Sequence, residues 1–247
     1  MMRFTDLHTH ILWGMDDGPE RPQDMHAMLD LAVQGGVGLI AATSHAYPQK
    51  RAFPLERYMQ RLGEANAYCQ SRGWPLRLIS GCEILWCDRA ADLLREGALP
   101  MLGDTRYVLI EFYPDVSLDQ IARAADGVYK AGCFPIVAHV ERYRALRKTL
   151  RNPLQFKEDH GLLYQMNCDA LLMPRGIMER LFIRRMMEEQ AIDLIASDAH
   201  DTVMRPVRMR QAYEKVNEQY GPEYAQALVT FGDRLTANGA NGNGGRA

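Results

Sequence analysis

The sequence predicts a single (β/α) barrel. Three observations carry that prediction. Short apolar runs alternate about seven times with stretches of helical period, no long linker separates them, and run after run ends in a histidine or a carboxylate. A chain of 247 residues has the length of one such barrel.

The first strand, around Asp6-Leu7, runs into His8-Thr9-His10, and Asp16-Asp17 follows across a turn that Gly14 and Gly18 permit. Side chains at i and i+2 of an extended segment share a face, so His8 and His10 can offer two imidazoles to one ion. Arg21 to Gly35 has helical spacing through Met25, Met28, Leu29 and Leu31-Ala32, and Gly35-Gly36 stops it. Val37 to Thr43 is almost wholly apolar, as expected of a parallel strand covered on both faces, and it delivers His45.

A helix over Leu55 to Ser71 leads to a third strand, Leu76 to Ser80, ending in Gly81-Cys82-Glu83. A short helix over Arg89 to Glu96 precedes the fourth strand, Tyr107 to Ile110, which ends in Glu111. Leu118 to Ala131 is helical, and Phe134 to Ala138 is a fifth strand ending in His139. Leu162 to Met166 is the sixth strand, Met178 to Gln190 a helix, and Ala191 to Ala196 the seventh strand, ending in Ser197-Asp198-Ala199-His200. Helices over Val207 to Gln219 and Glu223 to Phe231 close the fold. The domain is expected to span residues 1–236, with a disordered Gly/Asn-rich tail over residues 237–247.

In a parallel barrel the C-terminal strand ends share one rim, so His8, His10, Asp17, His45, Glu83, Glu111, His139, Asp198 and His200 converge although they span most of the chain. Five of the seven histidines are used this way; His26 and His160 are not. Carboxylates packed so closely without cations would raise one another's pKa and repel. Mixed His/Asp/Glu donors without thiolate suit divalent ions of the Mn, Fe, Zn or Mg kind, and nine donors exceed one coordination sphere, so two or three ions are expected.

Composition excludes other classes. With 29 basic and 31 acidic residues there is no electrostatic case for nucleic acid as main partner. No stretch has the apolar length of a membrane span, and the N-terminus lacks a signal-peptide run, so a cytoplasmic protein without membrane insertion is expected. The five cysteines form no Cys-x-x-Cys pair and read as buried thiols. None is followed by arginine at the sixth position, where Pro75, Asp88, Leu93, His139 and Pro174 stand, so a phosphocysteine mechanism is not expected.

Taken in order, Asp-Leu-His-Thr-His, Thr-Ser-His, Gly-Cys-Glu-Ile, Leu-Ile-Glu-Phe, Pro-Ile-Val-Ala-His-Val-Glu-Arg-Tyr and Ala-Ser-Asp-Ala-His resemble the PHP (polymerase and histidinol phosphatase) superfamily. Within it, Asp16-Asp17-Gly18-Pro19, Ile110-Glu111-Phe112 and His139 to Tyr143 are similar to the capsule-type bacterial protein-tyrosine phosphatases. The resemblance implies a distorted (β/α)7 barrel with a trinuclear metal centre, manganese first, with iron, zinc, magnesium or cobalt as alternatives. It also implies a substrate, the tyrosine-phosphorylated tail of the bacterial autokinase that controls exopolysaccharide export, and it leaves the oligomeric state open.

Position by position, the resemblance assigns all nine residues above as metal ligands, and Arg142 and Arg205 as phosphate-binding arginines. Ala46-Tyr47-Pro48 departs from the basic or histidine residues that other members carry beside the substrate entrance. The expected chemistry is attack on phosphorus by a water whose pKa the ions lower, with Asp198 or His200 as proton source for the phenolate. Arg144 and Arg147 read as solvated surface charges. The alternatives are a small-molecule phosphoesterase such as a histidinol-phosphate phosphatase, a non-catalytic metal-stabilised binding module and, more weakly, a nuclease.

Overall fold

A computed structural model describes residues 3–148 and 152–237. Seven parallel strands pair in sequence order: β1 (Phe4–Thr9), β2 (Val37–Ala46), β3 (Arg77–Leu85), β4 (Tyr107–Glu111), β5 (Phe134–Val137), β6 (Leu163–Asn167) and β7 (Leu194–Ala196). Beyond β7 the chain returns to β1, where Asp198 N donates to His8 O at 2.8 Å and His10 N to Ala199 O at 2.9 Å. The sheet thus becomes a nearly closed (β/α)7 barrel, sealed at the rim where the strands end.

The helices are α1 (Pro22–Gln34), α2 (Leu55–Ser71), α3 (Asp88–Arg95), α4 (Leu118–Lys130), α5 (Arg144–Lys148), α6 (Pro153–Asp159), α7 (Cys168–Leu172), α8 (Ile177–Glu188), α9 (Met209–Tyr220) and α10 (Pro222–Ala237). Local sequence explains their starts: Ser117 caps α4 by accepting from Gln120 N while the Gln120 side chain accepts from Ser117 N. None of the helices is long and apolar enough to cross a membrane, among the described residues.

Two cores form. Leu7, Ala41, Leu109, Ile136 and Leu194 fill the barrel, and Leu235 of α10, with Phe231, packs beneath them against Leu39, Ile79, Tyr107 and Leu163 near the strand starts. The larger core lies between the outer barrel face and the helices.

Several boundaries differ from the apolar pattern. β2 and β3 continue through the polar strand ends because their pairing stays in register to His45↔Glu83 and Ala46↔Ile84. β7 is shorter than expected, with Ala191 and Ile192 buried ahead of it. Between β5 and β6, where no helix was expected, lie a 3₁₀ turn (Val140–Arg142), α5 and α6. α10 runs past Phe231 to Ala237, taking the first residue expected in the tail; the remainder, 238–247, lies outside the described residues.

Candidate metal centre

Strand alternation builds most of the site. On β2 the inward series is Leu39, Ala41, Thr43, His45; on β3, Ile79, Gly81, Glu83; on β4, Tyr107, Leu109, Glu111. Apolar side chains occupy the depth and a donor stands at each rim. Three donors need a departure from alternation. Asp6 pairs with Ile40 and Thr9 with Ala42, so β1 carries an extra residue that lets Leu7 and His8 both face inward. His139 follows the inward Ala138 by adopting φ 33°, and Asp198 has φ 51°. Left-handed backbone at non-glycine residues is costly and clusters at functional sites.

All nine candidate donors come together. His10, Asp17, His45 and His200 form one group whose donor atoms lie within 4.8 Å of one another; His8, His10 and Asp198 form a second, and His45, Glu83 and Glu111 a third. His139 joins them through Nε2, 2.8 Å from Glu83 Oε1 and 3.6 Å from Glu111 Oε2. All are buried or nearly so except Asp17, 61% exposed at the mouth.

The donor set fits metal ions. His8 Nδ1 donates to Gln165 Oε1 at 3.0 Å, His10 Nδ1 to Asp16 Oδ2 at 2.9 Å, and His200 Nδ1 to Asp198 O at 2.9 Å. Tyr143 OH stands 3.3 Å from His139 Nδ1. Each Nδ1 is thereby held from outside the cluster and each Nε2 is turned towards it, the arrangement that orients ligating histidines. His45 Nδ1 and His200 Nε2 are buried without an aligned hydrogen bond, although carboxylate oxygens lie 3.1 Å and 3.3 Å away. Close approach with poor alignment is what lone pairs aimed at a shared cation give.

Charge follows the same pattern. Burial raises Glu83, and the charge of His8 with the close imidazoles of His10, His139 and His45 outweighs it, holding the carboxyl well below its ordinary value. Burial would lower His45, but the Glu111 and Glu83 carboxylates 3.1 Å from its ring raise it to about 9. His139 also stands at about 9, the same carboxylates outweighing burial and Arg142. The site is a field that favours positive charge.

Arg142 Nη2 and Arg205 Nη2 converge on Asp198 Oδ2 at 2.6 Å and 2.8 Å. Asp198 is therefore divided: Oδ2 takes both arginines and Asn167 Nδ2 at 2.7 Å, while Oδ1 lies 3.4 Å from His8 Nε2. The centre opens into a cleft of about 390 Å³ bordered by Tyr47, Lys50, Phe112 and Tyr113.

Residues not assigned to the centre from sequence support this arrangement. Asp16 holds His10 and also accepts from His45 N at 2.8 Å. Gln165 accepts from His8 and from His139 N at 2.7 Å, and passes a hydrogen bond through Asn167 to Asp198. Asp201 Oδ1 accepts from Val203, Met204 and Arg205 N, folding the loop that presents Arg205. The five cysteines are buried and unpaired, and burial pushes the Cys69 thiol up to about 11.

Comparisons with known proteins agree with this geometry. The chain is 30% identical over 236 residues to the tyrosine-protein phosphatase CpsB of Streptococcus pneumoniae, covering 93% of this chain and 96% of that protein. It is 30% identical over 243 residues to the tyrosine-protein phosphatase YwqE of Bacillus subtilis, covering 94% and 91%. Among solved structures, one from the work on YwqE and CpsB, described as unique metal-dependent tyrosine phosphatases, superposes with a TM-score of 0.86 at 27% identity, over 95% of this chain and 94% of that one. The family profile described as capsular polysaccharide synthesis, CpsB/CapC, matches residues 4–233, and the chain belongs to that family.

Proposed function

We propose that this protein is a metal-dependent phosphatase that hydrolyses phosphotyrosine on a protein substrate. The observation that carries the reading is the convergence of Arg142 and Arg205 on one oxygen of Asp198, at the mouth of a cluster of five imidazoles and four carboxylates. The nine donors would hold two or three divalent ions, manganese first given the mixed oxygen and nitrogen donors. When bound, such ions supply Lewis-acid polarisation and a water of lowered pKa.

The remaining steps belong to the chain's own residues. Arg142 and Arg205 release Asp198 Oδ2 in part to clamp phosphoryl oxygens through their planar forks, which raises affinity and neutralises charge in the transition state. Tyr47, Phe112 and Tyr113 give the phenyl ring apolar walls, favouring an aryl phosphate over a small polar ester. Asp198 and His200, the proton donors considered from sequence, have other parts in this reading. Despite burial, the charges of His8 and Arg142 hold Asp198 ionised, and burial keeps His200 neutral with Nδ1–H committed to Asp198 O. A phenolate, with a pKa near 10, leaves with little protonation.

The family's description as capsular polysaccharide synthesis supports the phosphorylated tail of a bacterial tyrosine kinase governing exopolysaccharide export as the substrate. Unpaired cysteines throughout suit the reducing cytoplasm. The test is parallel turnover of a phosphotyrosyl peptide, phosphoserine and histidinol phosphate by the manganese-loaded protein. Preference for the peptide is expected; equal rates on all three would remove the tyrosine-specific reading. Chelation should abolish turnover and iodoacetamide should leave it intact.

A further inference from the structure

Beside the centre lies a second, larger cleft of about 560 Å³ that shares Arg142, Asp198 and Arg205 with the first. Its outer wall carries Arg144 and Arg147 of α5 and Arg175 from the loop before α8. Arg144 and Arg147 are solvent-facing charges, as the sequence suggested, and both stand on one concave wall. The cleft's acidic residues do not neutralise them. Asp198 is taken by Arg142 and Arg205, Asp169 pairs with Arg208, Glu141 is buried, and Glu179 alone remains on the cleft side. Arg144, Arg147 and Arg175 form no ion pair among the described residues, and Met173, 55% exposed, adds an apolar edge. Three uncommitted guanidiniums on a cleft continuous with a phosphate clamp give an electropositive groove that a substrate chain must cross or border.

We propose that this cleft receives an acidic side chain of the same protein substrate, on one side of the phosphotyrosine, and so sets sequence preference. The inference rests on the phosphotyrosine reading. It follows from charge complementarity and from the shared wall: a chain whose phosphate sits at Arg142 and Arg205 places its neighbouring side chains, about 3.3 Å per residue away along the backbone, over Arg144, Arg147 and Arg175. Half-exposed arginine–carboxylate pairs are individually modest, so the cleft tunes substrates and does not select absolutely.

The experiment measures kcat/KM of the manganese-loaded protein on phosphotyrosyl peptides in which a single Glu, Ala or Lys is moved through the positions on either side. A preference for Glu over Ala of roughly three- to tenfold, confined to one side and shrinking with added salt, is expected. The double variant Arg147→Glu/Arg175→Glu should reverse the order, preferring Lys at the same position. Arg147→Gln at a half-buried position and Arg175→Gln at an exposed one, neither of which breaks an ion pair among the described residues, should each flatten the preference. Equal turnover of Glu, Ala and Lys peptides by the unaltered protein would overturn the inference while leaving the phosphatase reading intact, as would a Glu preference that survives in the variants. Turnover of no phosphotyrosyl peptide, with histidinol phosphate hydrolysed, would remove both.

Discussion

Asp16 shows how one side chain outside the donor set governs the centre. It fixes the His10 tautomer through Nδ1 and, through the same oxygen, accepts from His45 N, so a donor just past β1 and one on β2 share one orienting carboxylate. Asp16→Asn keeps the shape and removes the charge, and partners of this kind are worth about 10–100-fold in metal affinity. We expect manganese affinity by calorimetric titration to fall in that range with little loss of fold; unchanged affinity would mean that Asp16 is only a loop residue. The arginine clamp makes a second prediction. Arg142→Lys and Arg205→Lys keep the charge and lose the fork, and each should lower kcat/KM on a phosphotyrosyl peptide by about a hundredfold. Because both act on one group, the double variant should fall well short of the product of the two. The donors themselves were legible because a His or Glu at the end of an apolar run stands out against its surroundings. Asp16, Gln165, Asn167 and Asp201 were not, since their value depends on which ring nitrogen or backbone N–H the folded barrel sets opposite them.

At the scale of elements, β2 and β3 carry the site, because their register places His45 directly beside Glu83. Tyr58 of α2 secures that register from the outer face. Its hydroxyl, fully buried, donates to Ala42 O at 2.8 Å on β2 and accepts from Gly81 N at 2.8 Å on β3. Tyr58→Phe removes both of these buried hydrogen bonds, at a cost of about 1–3 kcal/mol. Denaturant unfolding should report that loss, and metal affinity should weaken with it; a neutral substitution would mean that the sheet holds the register unaided. The same strands show why boundaries were harder to read than elements. Pairing continues through Thr43, Ser44 and His45, where the apolar pattern has stopped, and α5, α6 and α7 are too short, at 5, 7 and 5 residues, for a helical period to register.

For the whole molecule, closure of the barrel and assembly of the charge cluster are one event, since Asp198 N donates to His8 O in the step that joins the end of the β-series to its beginning. Stability, metal loading and pH are therefore linked. In the chelated protein His45 and His139 have pKa values of about 9, above the ordinary 6.5 or so of an unfolded imidazole. Raised folded values contribute stability that is fully present below about 6.5 and is lost as pH climbs through about 9. Glu83 and Asp198 are lowered, so their contribution is present above the ordinary carboxylate range and is lost only as pH falls below it. Metal binding runs the other way across the upper window, because a ligating imidazole must be neutral and each proton displaced from His45 or His139 is a competitor removed. Chelated protein should therefore melt at progressively lower temperature from pH 6.5 to 9, while the gap between manganese-loaded and chelated midpoints widens over that interval. Thermal unfolding across that pH series, with and without manganese, checks both trends. A gap that stays constant with pH would mean that the two histidines are already neutral before the ions arrive, and that the carboxylates of the rim do not hold protons on them.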